Sequence, residues 1–289
     1  MKEKKVTVVM VTYNRRDIVQ QALDCLQKQT YPIYNIVVVD NHSSDDTLEV
    51  LYQRKENDSR IEIVTSIENS GFGAGLGLGM NWAKDNLVND FIWMMDDDSY
   101  PVPDALELLM KNINELHFDI LGLFGYRMKL GSKIRILPNG NSEDVDFILV
   151  DNALIKMETV KKIGVPSGEF FMMCEDYEYC LRIKDAGYKL GVIQNNHVQR
   201  LNLGSQKFSK ATLWRGYYHS RNHLIILKKH FTWVRLVNYI VVQFKYLLAS
   251  TLAPDRWQRI GFRLKGIWHG IQSVKGKTLD PITLKFTKK

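Results

Sequence analysis

Apolar positions recur along this chain with two alternating periods. Short, nearly unbroken hydrophobic runs occupy residues 5–11, 35–40, 61–65 and 91–95. Runs of that length, rich in Val and Ile, read as strands buried on both faces. Between them the period lengthens. Residues 17–29 place Ile18, Ala22, Leu23 and Leu26 on one side of a helix. Residues 44–54 open with capping side chains and continue as a second helix, and residues 103–116 carry Pro103 in the first turn of a third. This alternation predicts an α/β fold, a Rossmann-like and mostly parallel sheet flanked by helices. Ligands of such sheets bind at the carboxyl ends of the strands.

Past residue 116 the pattern loosens. Residues 120–128 and 144–150 read as strands on either side of a polar, hairpin-like stretch at 131–141. A helix over 175–186 stops at Gly187, as a C-terminal glycine should make it, and a strand over 188–193 follows. Three further helices are expected over 211–231, 234–253 and 256–271. The chain therefore divides into a catalytic-type α/β domain over 1–210 and a helical C-terminal region over 211–289.

Polar side chains gather at the predicted strand ends. Thr12-Tyr13-Asn14-Arg15 follows the first strand, Asp40-Asn41-His42-Ser43-Ser44 the second, and Asp96-Asp97-Asp98 the run Phe91-Ile92-Trp93-Met94-Met95. Ser43, Ser44, Asp45 and Asp46 suit a helix start. Asp40 and the aspartate triplet are different, because they directly end apolar strands, where adjacent like charges are costly. Closely spaced hard oxygens suit Mg²⁺ or Mn²⁺. In an extended segment Asp96 and Asp98 face the same way and Asp97 the other.

Other segments are ambiguous by themselves. Asn69 to Gly79, N-S-G-F-G-A-G-L-G-L-G, fits neither the dinucleotide nor the P-loop fingerprint. It suits a strand-to-helix turn with a small-residue helix face, or close backbone approach to a ligand. Glu175, Asp176 and Glu178 open a helix, which favours acids there in any case, and one of them could also serve as a general base. His197 follows a strand and could ligate a metal. Trp214, Tyr217, Tyr218 and Arg221 share a helix face; an arginine in an aromatic stripe suggests an anionic partner.

In order, V-T-Y-N-R, V-V-V-D-N, N-S-G-F-G-A-G, M-D-D-D, E-D-Y-E and Y-Y-H-S-R-N resemble the family 2 glycosyltransferases, inverting enzymes of the GT-A fold, from Val6 to Asn222. The resemblance implies a nucleotide-sugar pocket at Thr12, Tyr13, Asn14, Arg15 and Asp40. It implies a donor loop at Asn69 and Gly71, with Asp96 and Asp97 also toward the donor. A divalent cation, Mn²⁺ or Mg²⁺, would be held by Asp96 and Asp98, with His197 as a third ligand. Asp176 would be the catalytic base, with Glu175 beside it. The M-D-D-D triplet is similar to galactofuranosyltransferases. This implies UDP-galactofuranose as donor, with dTDP-rhamnose as the alternative, and a growing, lipid-linked surface glycan as acceptor.

Charge refines the picture. The net charge is +7, but of 39 basic and 32 acidic residues, 18 and 2 lie from Arg200 onward, so this last third carries +16 and the rest −9. A basic, aromatic tail suits nucleic acid or an anionic membrane. The acidic body argues against nucleic acid. The reading is peripheral attachment to the inner face of the cell membrane, or packing on a second subunit. Residues 236–254 are interrupted by Asn238, Gln243 and Lys245, which argues against a spanning helix. Three cysteines without paired spacing, and no apolar leader ahead of Val6, suit a reducing cytoplasmic setting.

Overall fold

A computed structural model of the chain describes residues 3–138, 142–193, 198–200 and 212–287. The N-terminal part runs β1 (Val6–Thr12), α1 (Arg16–Gln27), β2 (Asn35–Asp40), α2 (Thr47–Asn57), β3 (Ile61–Thr65), α3 (Phe72–Asn86), β4 (Phe91–Asp96), β5 (Ser99–Pro101) and α4 (Ala105–Glu115). Then come β6 (Ile120–Gly122), β7 (Gly125–Lys129), β8 (Ser132–Ile136), β9 (Ser142–Asp144), β10 (Phe147–Ile148), β11 (Ala153–Lys156), α5 (Met157–Ile163), α6 (Glu175–Asp185), β12 (Leu190–Ile193) and β13 (Val198–Arg200). Three helices close the chain: α7 (Leu213–Lys229), α8 (Trp233–Thr251) and α9 (Arg256–Ile271).

The main sheet has the order β3-β2-β1-β4-β11-β6-β12-β9. Its first four strands are parallel, β11 runs antiparallel between β4 and β6, and β12 is parallel to β6. The expected mostly parallel sheet is present. Val8, Met10, Val38 and Trp93 pack on one face toward α1 and α4, and Val9, Val37, Val39 and Met94 on the other toward α3. Thr12 pairs in register with Asp40, and Val11 with Asp96, so the polar ends of β1, β2 and β4 meet at one rim.

Two predicted strands prove to be pairs. The run 120–128 breaks after Gly122, leaving β6 in the main sheet and sending β7 into a small sheet with β8 and β10. The run 144–150 divides likewise between β9 and β10. At the break, a Cβ on Gly125 would come within 2.4 Å of Val192 and 2.8 Å of Val145, so a glycine there lets the two layers touch.

The glycine-rich segment is a helix, α3, whose small residues serve packing. A Cβ on Gly79 would sit 2.6 Å from side-chain carbons of both Val9 and Val39, and one on Gly75 2.8 Å from Val11. One side of α3 therefore lies directly on β1 and β2. Gly77 faces the other way, where a Cβ would lie 2.8 Å from the Pro166 carbonyl.

Among the described residues no helix is long and apolar enough to cross a membrane. In α8, Asn238 and Gln243 are buried against the body while Trp233, Ile240 and Phe244 are exposed.

The close seating of α3 predicts that Gly79→Val destabilises the fold by about 1–3 kcal/mol, the usual cost of overpacking. Urea unfolding followed by circular dichroism should show a lower midpoint with an unchanged slope.

Candidate active site

The rim opens into a cleft of about 510 Å³. Its lining brings together Thr12, Tyr13 and Arg15 from the end of β1, Asn69 and Gly71 from the turn before α3, Asp96, Asp97 and Asp98 from the end of β4, and Glu175 and Asp176 from the start of α6. Residues far apart in sequence thus converge as expected. Asn14 and Asp40 are not in the lining. Asn14, at φ 52°, donates its N–H to Ser43 Oγ at 2.9 Å and accepts from the Ser44 N–H at 2.7 Å, so it braces the turn after β1 against that after β2. Asp40 is 2% exposed; one carboxylate oxygen accepts from the Ser43 N–H, and the other is buried with no hydrogen-bond partner among the described residues. His197 lies outside the described residues.

The triplet is not three equivalent acids. Asp97 is turned inward, accepting from Thr12 Oγ1 at 2.8 Å and from the Arg15 guanidinium. Burial pushes its carboxyl up to about 6, against the opposing pull of Arg15 and Thr12. Burial alone would lower the Arg15 guanidinium, but the aspartates, Asp97 foremost, outweigh it and hold the group above its ordinary value. Arg15 also lies 3.8 Å from Asp98. The loop itself is tied by Asp151, 3% exposed, which accepts from the Asp96 N–H at 2.9 Å and the Ser99 hydroxyl at 2.5 Å.

The acids of α6 are presented by a strained loop. Phe171, Met173 and Cys174 have φ of 62°, 74° and 70°, left-handed values that cost a non-glycine residue about 1 kcal/mol or more each. Asn222 of α7 holds this loop. Its amide nitrogen donates to the carbonyls of Phe170, Met172 and Met173 at 3.1, 2.8 and 2.8 Å. Arg221 is fully buried and donates to the Phe170 carbonyl at 3.0 Å, to Gly276 O and Thr278 Oγ1 at 2.8 Å each, and to Asn222 Oδ1. The anionic partner expected for Arg221 is replaced by the chain's own carbonyls and amide. Gly71, at φ 89°, lies so close to this loop that a Cβ would come within 1.7 Å of the Phe171 carbonyl oxygen.

The sequence profile of Glycosyl transferase family 2 matches residues 7–180. The chain belongs to that family. The matched domain is that of a nucleotide-sugar-dependent glycosyltransferase. Among curated relatives, the chain is 24% identical to the GalNAc(5)-diNAcBac-PP-undecaprenol beta-1,3-glucosyltransferase of Campylobacter jejuni over 76% of this chain and 62% of that one, and so spans less than two thirds of that relative's length. Among solved structures, S. aureus TarS 1-349 in complex with UDP-GlcNAc superposes with a TM-score of 0.63 at 18% identity, covering 93% of this chain and 81% of that one. The mannosyltransferase PcManGT from Pyrobaculum calidifontis, in complex with GDP-Man and Mn²⁺, gives 0.59 at 15% identity over 94% and 88%. These likenesses show the fold, a GT-A-type sheet flanked by helices.

The enzyme's donor atoms fit a hard divalent cation. Asp96 and Asp98 offer two carboxylates at the cleft, what Mg²⁺ takes from a protein when substrate phosphates complete its shell. Among the described residues no group of three or more His, Cys, Asp or Glu side chains is placed to hold a metal ion.

Several lining residues escaped the sequence reading. Asp151 carried the signal used for the triplet, an acid directly after an apolar run. Asn41, which donates to Asn69 Oδ1 and the Gly71 carbonyl at 3.2 Å each, was visible only as a neighbour of Asp40. Arg215, Lys277 and Ile282 gave no signal, since only the fold brings them to the cleft.

Glu175 is held well above the ordinary carboxylate range, first by burial and then by the neighbouring Asp176. One of its carboxylate oxygens is buried with no hydrogen-bond partner among the described residues. A raised acid binds its proton more tightly in the folded than in the unfolded chain. Stability is therefore lost as pH climbs from the ordinary glutamate value of 4.5 toward neutrality. Glu175→Gln does not titrate, so it should be more resistant to urea than wild type at neutral pH, with the difference closing toward pH 4.

Proposed function

We propose that the enzyme is an inverting, divalent-cation-dependent transferase that moves galactofuranose from UDP-galactofuranose to a growing, lipid-linked bacterial surface glycan. The observation that carries the catalytic part is the meeting of Asp96 and Asp98 with Glu175 and Asp176 in one cleft. The domain division fits this reading, with 1–210 carrying these acids and 211–289 buttressing them. The galactofuranosyl donor rests on Met95-Asp96-Asp97-Asp98, and dTDP-rhamnose is the alternative. A lipid-linked acceptor is supported by the PP-undecaprenol in the name of the Campylobacter relative.

In this mechanism Thr12, Tyr13, Arg15, Asn69 and Gly71 line the donor's seat, and Asp40, buried at the end of β2 behind the rim, is the residue proposed near the base. Asn14 braces the seat from behind, and Asp97 fixes Arg15. Asp96 and Asp98 would hold Mg²⁺ or Mn²⁺, which neutralises charge on the departing diphosphate. His197 is the residue proposed as a third ligand. Asp176 takes the proton of the acceptor hydroxyl as the oxygen attacks the anomeric carbon. Glu175, whose carboxyl is held high by burial and by Asp176, stands beside that base. One displacement with one base inverts the configuration.

The test is a panel of nucleotide sugars, UDP-galactofuranose, dTDP-rhamnose, UDP-GlcNAc and GDP-mannose included, scored for nucleotide release with Mn²⁺ and with chelator. UDP-galactofuranose should turn over fastest, and chelator or Asp98→Ala should abolish release. Asp176→Asn should lower turnover by about a hundredfold or more with UDP affinity retained. If Glu175→Gln is instead the crippled variant, the base is the other carboxylate.

We also propose that the enzyme attaches peripherally to the inner face of the cell membrane. The expected basic face of α9 is altered by the fold. Arg259 pairs with Asp255 and Arg263 lies over the Tyr246 ring at 4.3 Å, both buried, which leaves Arg256 and Lys265 at the surface. The exposed apolar surface comes chiefly from α8, where Trp233, Val237, Ile240, Phe244 and Leu248 form a stripe, continued on α9 by Trp257 and Trp268. An anionic bilayer complements the net positive charge of the C-terminal third. Co-sedimentation with vesicles should rise with anionic lipid, fall with salt, and be lost in Trp233→Ser/Phe244→Ser. Binding to neither kind of vesicle, with a dimer in solution, would assign the stripe to a second subunit.

A further inference from the structure

The family match ends at residue 180, yet the cleft is also lined by Trp214, Arg215, Lys277, Asp280 and Ile282. The last three belong to a short strap after α9 that folds back over α7. The strap is firmly anchored. Tyr218 Oη receives the N–H groups of Thr278 and Leu279 at 3.1 and 3.0 Å and donates to the Leu279 carbonyl at 2.7 Å. Arg221 donates to Gly276 O and Thr278 Oγ1, and the Gly276 N–H donates to the Glu169 carbonyl at 2.7 Å. The strap closes on itself through hydrogen bonds from Asp280 N to Lys285 O and from Thr287 N to Thr278 O. Residues between such anchors are held at the cleft.

Their chemistry differs from that of the strand-end rim. The rim offers carboxylates. Here two cations, Arg215 and Lys277, line the same cavity beside the flat face of Trp214, over which the Arg215 guanidinium lies at 5.3 Å. Lys277 Nζ is 5.5 Å from the centre of the Phe171 ring. Its contact with Asp280, at 3.6 Å, joins partly exposed groups, and one oxygen of Asp280 already accepts from the N–H groups of Ile282 and Thr283. Such a pair is weak enough for an anion to compete for the lysine.

We propose that Arg215, Lys277 and Trp214 form an acceptor subsite that takes a phosphate-bearing glycan, the sugar beside Trp214 and the phosphate between the two cations. The assignment rests on the glycosyl-transfer reading above. The donor's diphosphate offers the same anionic chemistry. The acceptor is the better match because Lys277 lies against Phe171, the residue that opens the loop into Glu175 and Asp176. The base acts on the acceptor hydroxyl, so a cation held against this loop sits on the acceptor's side.

The test uses the full chain with Mn²⁺ and two probes, prenyl-diphosphate-linked GlcNAc and the neutral octyl glycoside of GlcNAc. Calorimetry measures the binding of each to UDP-saturated protein, and of UDP alone. Wild type should bind the diphosphate-linked probe about tenfold or more tightly than the neutral one. Lys277→Gln, at an exposed position that leaves folding intact, should erase that preference while UDP affinity holds, and Lys277→Arg should restore it. Equal or absent binding of both probes by wild type overturns the proposal. A loss of UDP affinity in Lys277→Gln overturns it too, by giving the cation to the donor's diphosphate. Failure of the underlying reading is separately visible as no nucleotide release from any nucleotide sugar.

Discussion

One amide side chain holds the site together. Asn222 donates to the Phe170, Met172 and Met173 carbonyls of the loop that leads into α6. That loop contains three non-glycine residues in left-handed conformations, which do not persist unless their surroundings fix them. The carbonyls it exposes would otherwise be buried acceptors without donors. Arg221 extends the clamp to the strap after α9, so the helical region beyond the family match and the acids of α6 share one hydrogen-bond network. Gly71 completes the arrangement, because only a residue without a Cβ can let the turn before α3 touch the Phe171 carbonyl.

The acids then follow a common logic. Carboxylates crowded at one rim repel one another, and the fold treats them differently. Asp97 is engaged by Thr12 and Arg15, and Asp151 fastens the triplet's backbone. Glu175 is driven toward its protonated form by burial. Asp96, Asp98 and Asp176 remain to face the cleft. Arg15 and the burial of Glu175 thus limit the negative charge gathered at this cleft.

Much of this was legible in the chain. β2, β3 and α9 appear with the boundaries that their hydrophobic periods predicted, and the strand ends collected the polar residues expected there. The resemblance to the family located the cleft because its motifs fall at those ends. What escaped was set by tertiary contact. The glycines of α3 were open to either a small-residue helix face or a ligand contact, and only their seating on β1 and β2 settles which of them serve packing. β11, four residues long, owes its place to antiparallel pairing with β4 and β6. Arg221 looked like a ligand contact because periodicity puts it among aromatic rings, while its partners lie at residues 170, 276 and 278, beyond the reach of any local pattern.

Through Arg221 and Asn222, the helical C-terminal region grips the loop that presents the acids of α6, and the reading proposed for the cleft makes that grip a positioning device for catalysis. Asn222→Ala tests it most directly, by comparing turnover with UDP affinity in the folded variant. If the clamp positions the acids of α6, turnover on the donor selected by the nucleotide-sugar panel should fall by about tenfold or more, as small displacements of reacting groups do, while UDP binding stays near the wild-type value. Unchanged turnover in a folded Asn222→Ala protein would contradict the account.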